Sequence, residues 1–164
     1  MTENLRIKIL EILQDDCRTP LEEIAVMTGS ELAQVASEID AMRHEGVLLR
    51  YSAVINWDMV RHDKVEAMIE VRVTPQRDKG FDQIAEYIYN FDEVTSVYLM
   101  SGAYDLLLCV EAKTLKELAF FVSGKLSPIE NVTGTATHFI LKRYKKDGVI
   151  FERERRDDRL VIMP

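Results

Sequence analysis

Few residue sets in this 164-residue chain could make or break bonds. The acidic pairs Asp15-Asp16, Glu22-Glu23 and Asp157-Asp158 could supply an acid and a base, but adjacent carboxylates on solvated segments point apart. No serine or cysteine stands in a nucleophile, base and orienting-group pattern, so no enzyme is expected. His44, His62 and His138 are scattered, without an i, i+4 partner or a nearby cysteine pair, and predict neither metal nor cofactor. Cys17 and Cys109 lie far apart in different predicted elements and read as reduced, packed thiols. What remains is recognition chemistry. The turn Ser101-Gly102-Ala103-Tyr104-Asp105 sets hydroxyls, backbone amides and one fixed negative charge between two apolar runs. Its single glycine is not a phosphate-cradling pattern, and by its residues alone it reads as an ordinary hairpin turn. The cluster Lys142-Arg143-Tyr144-Lys145-Lys146 reads as a solvated strand end or as a patch that steers an anionic partner.

The elements that must position these residues divide the chain in two. Residues 1–60 hold five basic and eleven acidic residues, a net −6 out of the total −7, whereas residues 61–164 are nearly balanced. The apolar pattern changes at the same place. With 47% apolar and 30% charged residues the chain is expected to fold throughout. Apolar runs such as Asp105-Leu-Leu-Leu-Cys-Val110 are strand-sized, so no membrane span is expected. The start Met1-Thr-Glu-Asn-Leu5 lacks the basic and apolar regions of a secretory signal, and the cytoplasm is the expected compartment.

In the first half, Leu5, Ile9, Ile12 and Leu13 recur at helical spacing up to Asp15-Asp16-Cys17-Arg18. Thr19 is the expected N-cap of a second helix, with Pro20 in its first position and Leu21, Ile24, Ala25 and Met27 along it. Thr28-Gly29-Ser30 makes a turn, Ser30 capping a third helix from Glu31 to Glu45 with Leu32, Val35, Ile39 and Met42 on one stripe, stopped by Gly46. Two helices joined by a short glycine turn form a helix-turn-helix, although a plain three-helix packing module has the same periodicity. Val47–Tyr51 and Ala53–Trp57 are β-prone and predict a small wing or a linker strand.

The second half alternates. Val65–Val73 is a strand closed by Pro75, and Phe81, Ile84, Ala85, Ile88 and Phe91 form a helical stripe. Val94–Met100 and Leu106–Val110 are strands, Leu115–Leu126 is a helix stopped by Pro128, and Val132–Tyr144 is a long last strand. The order β-α-β-β-α-β predicts a ferredoxin-like sandwich with both helices on one face. Ile69, Val71, Val97, Leu99, Leu107 and Phe139 are spread over both faces, so the uncovered face predicts dimerisation. Gly148–Glu152 and Arg159–Met163 predict an added hairpin.

The chain resembles the Lrp/AsnC family over nearly its whole length. The matching pieces are Ile9-Leu10 through Arg18, Leu21 to Gly29, Glu45-Gly-Val-Leu48 before Tyr51, Ser101-Gly-Ala-Tyr-Asp105-Leu, and Val132-Thr-Gly-Thr-Ala-Thr137. No one piece is specific, but their order and spacing are. The resemblance implies an α+β chain: a winged helix-turn-helix DNA-binding domain with a linker strand over 1–60, and a RAM-type effector-binding and oligomerisation domain with a hairpin extension over 61–164. It implies DNA contacts from Ser30, Gln34, Ser37, Glu38, Ala41, Arg43 and Arg50. It also implies an amino-acid effector held at the Ser101–Asp105 turn, Asp105 attracting its ammonium group and Ser101, Gly102 and Tyr104 meeting the rest, with Thr135 and Thr137 supplying hydroxyls. Dimers assembling into tetramers or octamers are implied too. One departure stands out: the solvent side of the third helix carries Glu31, Glu38 and Asp40 against only Arg43 and His44, where the family usually places several cations. A −6 domain opposes phosphate binding electrostatically. The expected function is a sequence-specific DNA-binding transcriptional regulator responding to a small effector. The alternative is an amino-acid-sensing or partner-binding regulator with weakened or lost DNA binding.

Overall fold

The computed structural model describes residues 2–60, 64–74 and 80–151. It contains two compact units that divide between Ile55 and Asn56, ahead of the boundary that charge suggests.

The first unit holds helices α1 (Thr2–Asp15), α2 (Leu21–Thr28) and α3 (Leu32–His44). Leu5, Ile9, Leu13, Ile24, Ala25, Val35, Ile39 and Met42 converge into one core. Each fully buried aliphatic side chain contributes about 1.5–3 kcal/mol of transfer free energy, which lets three short helices hold together. Two glycines place the helix ends. Gly29, at φ +66°, closes α2, and Ser30 N–H returns to the Ala25 carbonyl at 3.0 Å. Gly46, at φ +74°, turns the chain so that the Val47 and Leu48 amides both reach the Met42 carbonyl. A side chain at such a φ is costly, so these stops are written into the residue type.

Three local expectations shift. Pro20, not Thr19, is the N-cap of α2, and the Thr19 hydroxyl donates instead to the Asp16 carbonyl. Glu31, not Ser30, caps α3 without a side-chain bond. The wing is not formed: residues 47–56 carry no strand, and only a 3-10 turn, Trp57–Met59, follows. An isolated β-prone run finds no partner edge, and propensity alone does not make a ladder.

The second unit runs β1 (Val65–Val73), α4 (Asp82–Tyr89), β2 (Val94–Leu99), β3 (Leu106–Ala112), α5 (Leu115–Phe121) and β4 (Val132–Phe139). Pro75 lies outside the described residues. The sheet order is β2-β3-β1-β4, all neighbours antiparallel. Thr114 caps α5 by accepting from Glu117 N–H, and the Glu117 carboxylate accepts in return from Lys113 N–H. Past Phe121 the helix widens into one π turn, Val122–Leu126, with Ser127 N–H bonded to the Val122 carbonyl at 2.8 Å. The last strand ends at Phe139, short of the expected Tyr144. A two-residue hairpin pairs Lys145–Lys146 with Val149–Ile150, so Val149 and Ile150 pair backwards; the expected partner Arg159–Met163 lies outside the described residues.

Register sorts the apolar residues between the faces. Ala67, Ile69, Val71 and Val73 of β1 are buried with Ile84, Ile88, Leu106, Leu108, Val110, Leu118, Phe121 and Leu126 under the helices. Val97 and Phe139 stand opposite Leu108 and Ala67 and share that face, as Leu99 does opposite Leu106. Of the six residues expected to be spread over both faces, only Leu107 is on the open one, beside Met68, Cys109 and Tyr98. That face also carries the ion pairs Arg143–Glu66 and Lys64–Glu111 and the His138–Glu70 contact. It is mixed rather than continuously apolar.

Candidate nucleic-acid interface and effector turn

In the first unit α3 is anchored by Val35, Ile39 and Met42, leaving Gln34, Ser37, Asp40, Arg43 and His44 in solvent. Ser30 and Ala41 are half-buried, and Arg50 is exposed just beyond the helix. Glu38 is placed differently from its expected role. Its carboxylate accepts from Arg6 Nε at 2.7 Å, and its side chain keeps only 16% exposure. The same guanidinium donates twice to Glu45, at 2.7 and 3.1 Å. Arg6 of α1 therefore clamps Glu38 of α3 and Glu45 at its C-cap, which holds the Glu45 carboxyl below its usual range. Two consequences follow for charge: Glu38 is withdrawn from the solvent face, and Arg6 is not available to phosphate. Lys8, Arg18, Arg43 and Arg50 are the remaining cations of this unit. Asp40, Arg43 and His44 line a small groove with Leu48 and Leu49.

In the second unit the turn closes the β2–β3 hairpin, with Met100 N–H bonded to the Asp105 carbonyl at 2.8 Å. Ser101, Gly102 and Ala103 are exposed, and Tyr104 and Asp105 are half-buried. Asp105 also ties the hairpin to the central strand. Its N–H donates to the Val71 carbonyl, and its Oδ2 accepts from Val73 N–H at 2.8 Å. The β1–β3 ladder ends at Val71 opposite Leu106, so the carboxylate satisfies an amide that β3 no longer reaches. Asp105 Oδ1 has no hydrogen bond to a described residue.

Thr135 stands opposite Val71 and Thr137 opposite Ile69, both on the helix-covered face. Thr135 shares the turn's end of the sheet, but β1 lies between β3 and β4, which separates them by about 10 Å at ordinary strand spacing. The turn is thus brought together as one surface, and the two threonines are not part of it. A cavity of about 580 Å³ lies against α4 and the π turn and is walled by Gln83, Tyr87, Phe91, Lys125, Glu130 and Asn131 among others. None of the expected effector residues lines this cavity. Sequence reasoning passed over it because its wall comes from two segments well separated in the chain. The π turn, where an apolar stripe meets Gly124, was the available signal.

No helix among the described residues is long and apolar enough to cross a membrane, and no group of three or more His, Cys, Asp or Glu there is placed to hold a metal. Residues 66–150 match the model of the Lrp/AsnC ligand-binding domain. The chain is 49% identical to the HTH-type transcriptional regulator YugG of Bacillus subtilis over 158 residues, 96% of this chain and 95% of that one. Among solved structures it is similar to AsnC of Escherichia coli, with a TM-score of 0.67 at 22% identity over 87% of this chain and 94% of that one. It is similar as well to a Neisseria meningitidis transcriptional regulator in complex with L-methionine, with a TM-score of 0.68 at 22% identity over 87% and 91%.

Proposed function

We propose that this chain, which belongs to the Lrp/AsnC family of HTH-type transcriptional regulators, binds specific DNA through α3 and answers to an amino acid at the Ser101–Asp105 turn. Its relatives are transcriptional regulators, not enzymes. The observation that carries the DNA reading is the presentation of α3: Val35, Ile39 and Met42 fix the helix while Gln34, Ser37 and Arg43 stay in solvent. Side chains of that kind read base edges by hydrogen bonding, with Ser30 and Arg50 at the margins for phosphate. The Arg6 clamp supports the same reading, because it takes Glu38 off the approach surface and leaves Asp40 as the acid beside Arg43. The effector reading rests on Asp105 Oδ1, an open acceptor suited to an ammonium group, and on the L-methionine complex of the Neisseria protein. The turn is open to solvent in one chain, so a second copy supplies its cover. Homo-oligomers form through the second unit, with Met68, Leu107, Cys109 and Tyr98 at the centre of the contact, and the regulator works in the cytoplasm.

The test is a salt-titrated binding assay with the DNA upstream of its own gene. Tight, salt-dependent binding that exceeds binding to scrambled DNA is expected. Equal binding to both, or none at low salt, refutes α3 as the reader. A second reading, a regulator that acts through a protein partner, is favoured by one observation, the −6 charge of residues 1–60.

A further inference from the structure

We infer that the cavity between α4 and the π turn is a second small-molecule site, separate from the Ser101–Asp105 turn, for a free zwitterionic amino acid with an apolar or aromatic side chain. The site goes beyond the function proposed above, since neither the DNA reading nor the effector turn uses any of its residues. Its volume of about 580 Å³ is in the range of small-ligand sites.

The wall combines three kinds of group. Ile84, Tyr87, Phe91 and Ile129 supply an apolar and aromatic floor, and Tyr87 and Phe91 meet edge to face at 5.3 Å between centroids. Such paired rings present a rigid surface for an aliphatic or aromatic side chain. Lys125 supplies a held cation. Its Nζ donates to Glu93 Oε1 at 2.5 Å and lies 5.6 Å from the centre of the Phe91 ring, so the ammonium is fixed at the wall. An ammonium has three donors and Glu93 uses one, which leaves donors for a carboxylate. Glu130 supplies the opposite charge, and its side chain makes no hydrogen bond to a described residue. Gln83 and Asn131 likewise offer amides with no side-chain bond to a described residue. One fixed cation and one open anion over an apolar floor complement a zwitterion: carboxylate toward Lys125, ammonium toward Glu130, side chain on the rings.

The backbone around the cavity departs from regular geometry on two walls. The π turn inserts an extra residue into the end of α5 and brings Gly124 and Lys125 to the cavity. Asn131 sits at φ +72°, a conformation unusual outside glycine, and its carbonyl accepts from Thr74 N–H. Single π turns and left-handed non-glycine residues concentrate at functional sites, where the surrounding fold holds the less favourable conformation in place.

The experiment uses the full chain and L-phenylalanine as probe, with phenethylamine and 3-phenylpropionate as analogues lacking one charge each. Amide chemical shifts read where the probe binds, and calorimetry reads how tightly. The expected result is shifts at Gln83, Tyr87 and 124–131, with L-phenylalanine binding more tightly than either analogue. Glu130→Gln should weaken it at least about tenfold, the loss of one charge-assisted hydrogen bond. It should keep the wild-type melting temperature, because Glu130 is exposed. Shifts confined to 101–105, tighter binding of phenethylamine, unchanged affinity in Glu130→Gln, or no binding at millimolar probe would each overturn the inference. Loss of DNA binding would not bear on it, so the two readings fail separately.

Discussion

Asp105 has two jobs that one pair of substitutions separates. Its Oδ2 accepts from Val73 N–H at 2.8 Å, where Val73 is buried and β3 has already left the ladder. Asp105→Ala orphans that amide. Losing a bond to a charged acceptor costs about 1.5–3 kcal/mol, and a domain near 100 residues then melts about 5–20 °C lower. Asp105→Asn keeps an oxygen where Oδ2 was and removes only the charge, so it should melt much closer to wild type. Effector affinity should follow charge instead. Both variants should weaken the amino acid that most raises the wild-type melting temperature by about tenfold or more, because neither offers an anion to the ammonium group. Differential scanning calorimetry reads the first effect and titration calorimetry the second. If Asp105→Asn melts as low as Asp105→Ala, the acceptor argument at Val73 is wrong. If Asp105→Asn binds the effector unchanged, the ammonium is held elsewhere.

Charge reversal on α3 should split by position. Asp40→Arg is expected to tighten DNA binding and steepen its salt dependence, and Arg43→Ala to weaken it, both read by gel shift at two salt concentrations. Glu38→Arg should instead lower the melting temperature, since it sets a second cation against Arg6 and breaks the clamp between α1 and α3. The acid limb of stability should reflect Glu45 and Glu93, whose folded carboxyls lie below the ordinary 4.5 through hydrogen bonds from Arg6 and Lys125. A depressed folded value means that their contribution is present above pH 4.5 and is lost as pH falls through the folded value. Arg6→Met should flatten the Glu45 part in a pH series of thermal melts. Ile39→Ala, at the centre of the three-helix core, should cost about 2–5 kcal/mol by chemical denaturation.

Local periodicity carried most of the fold. The stripes Leu5-Ile9-Leu13 and Val35-Ile39-Met42, and the glycines at 29 and 46, mark three helices and their ends because side-chain spacing and φ preference act within a few residues. The β-α-β-β-α-β order was legible for the same reason, as was the Ser101–Asp105 turn. What depended on partners distant in the chain was not legible. Val47–Tyr51 has the residues of a strand but finds no edge to pair with. Which face Val97 or Leu107 occupies follows from the register of β2 with β3, not from either residue. Glu38 looked like a solvent acid until Arg6, 32 positions earlier, took its carboxylate. Asp105 looked free to meet a ligand until the end of the β1–β3 ladder gave one of its oxygens an amide to satisfy. The cavity beside the π turn is assembled from segments around residues 80–91 and 124–131, whose approach is set by how both helices pack on the sheet. Spacing along the chain encodes which residues can share a face, whereas the pairing of charges and the enclosure of space are settled only when separate elements meet.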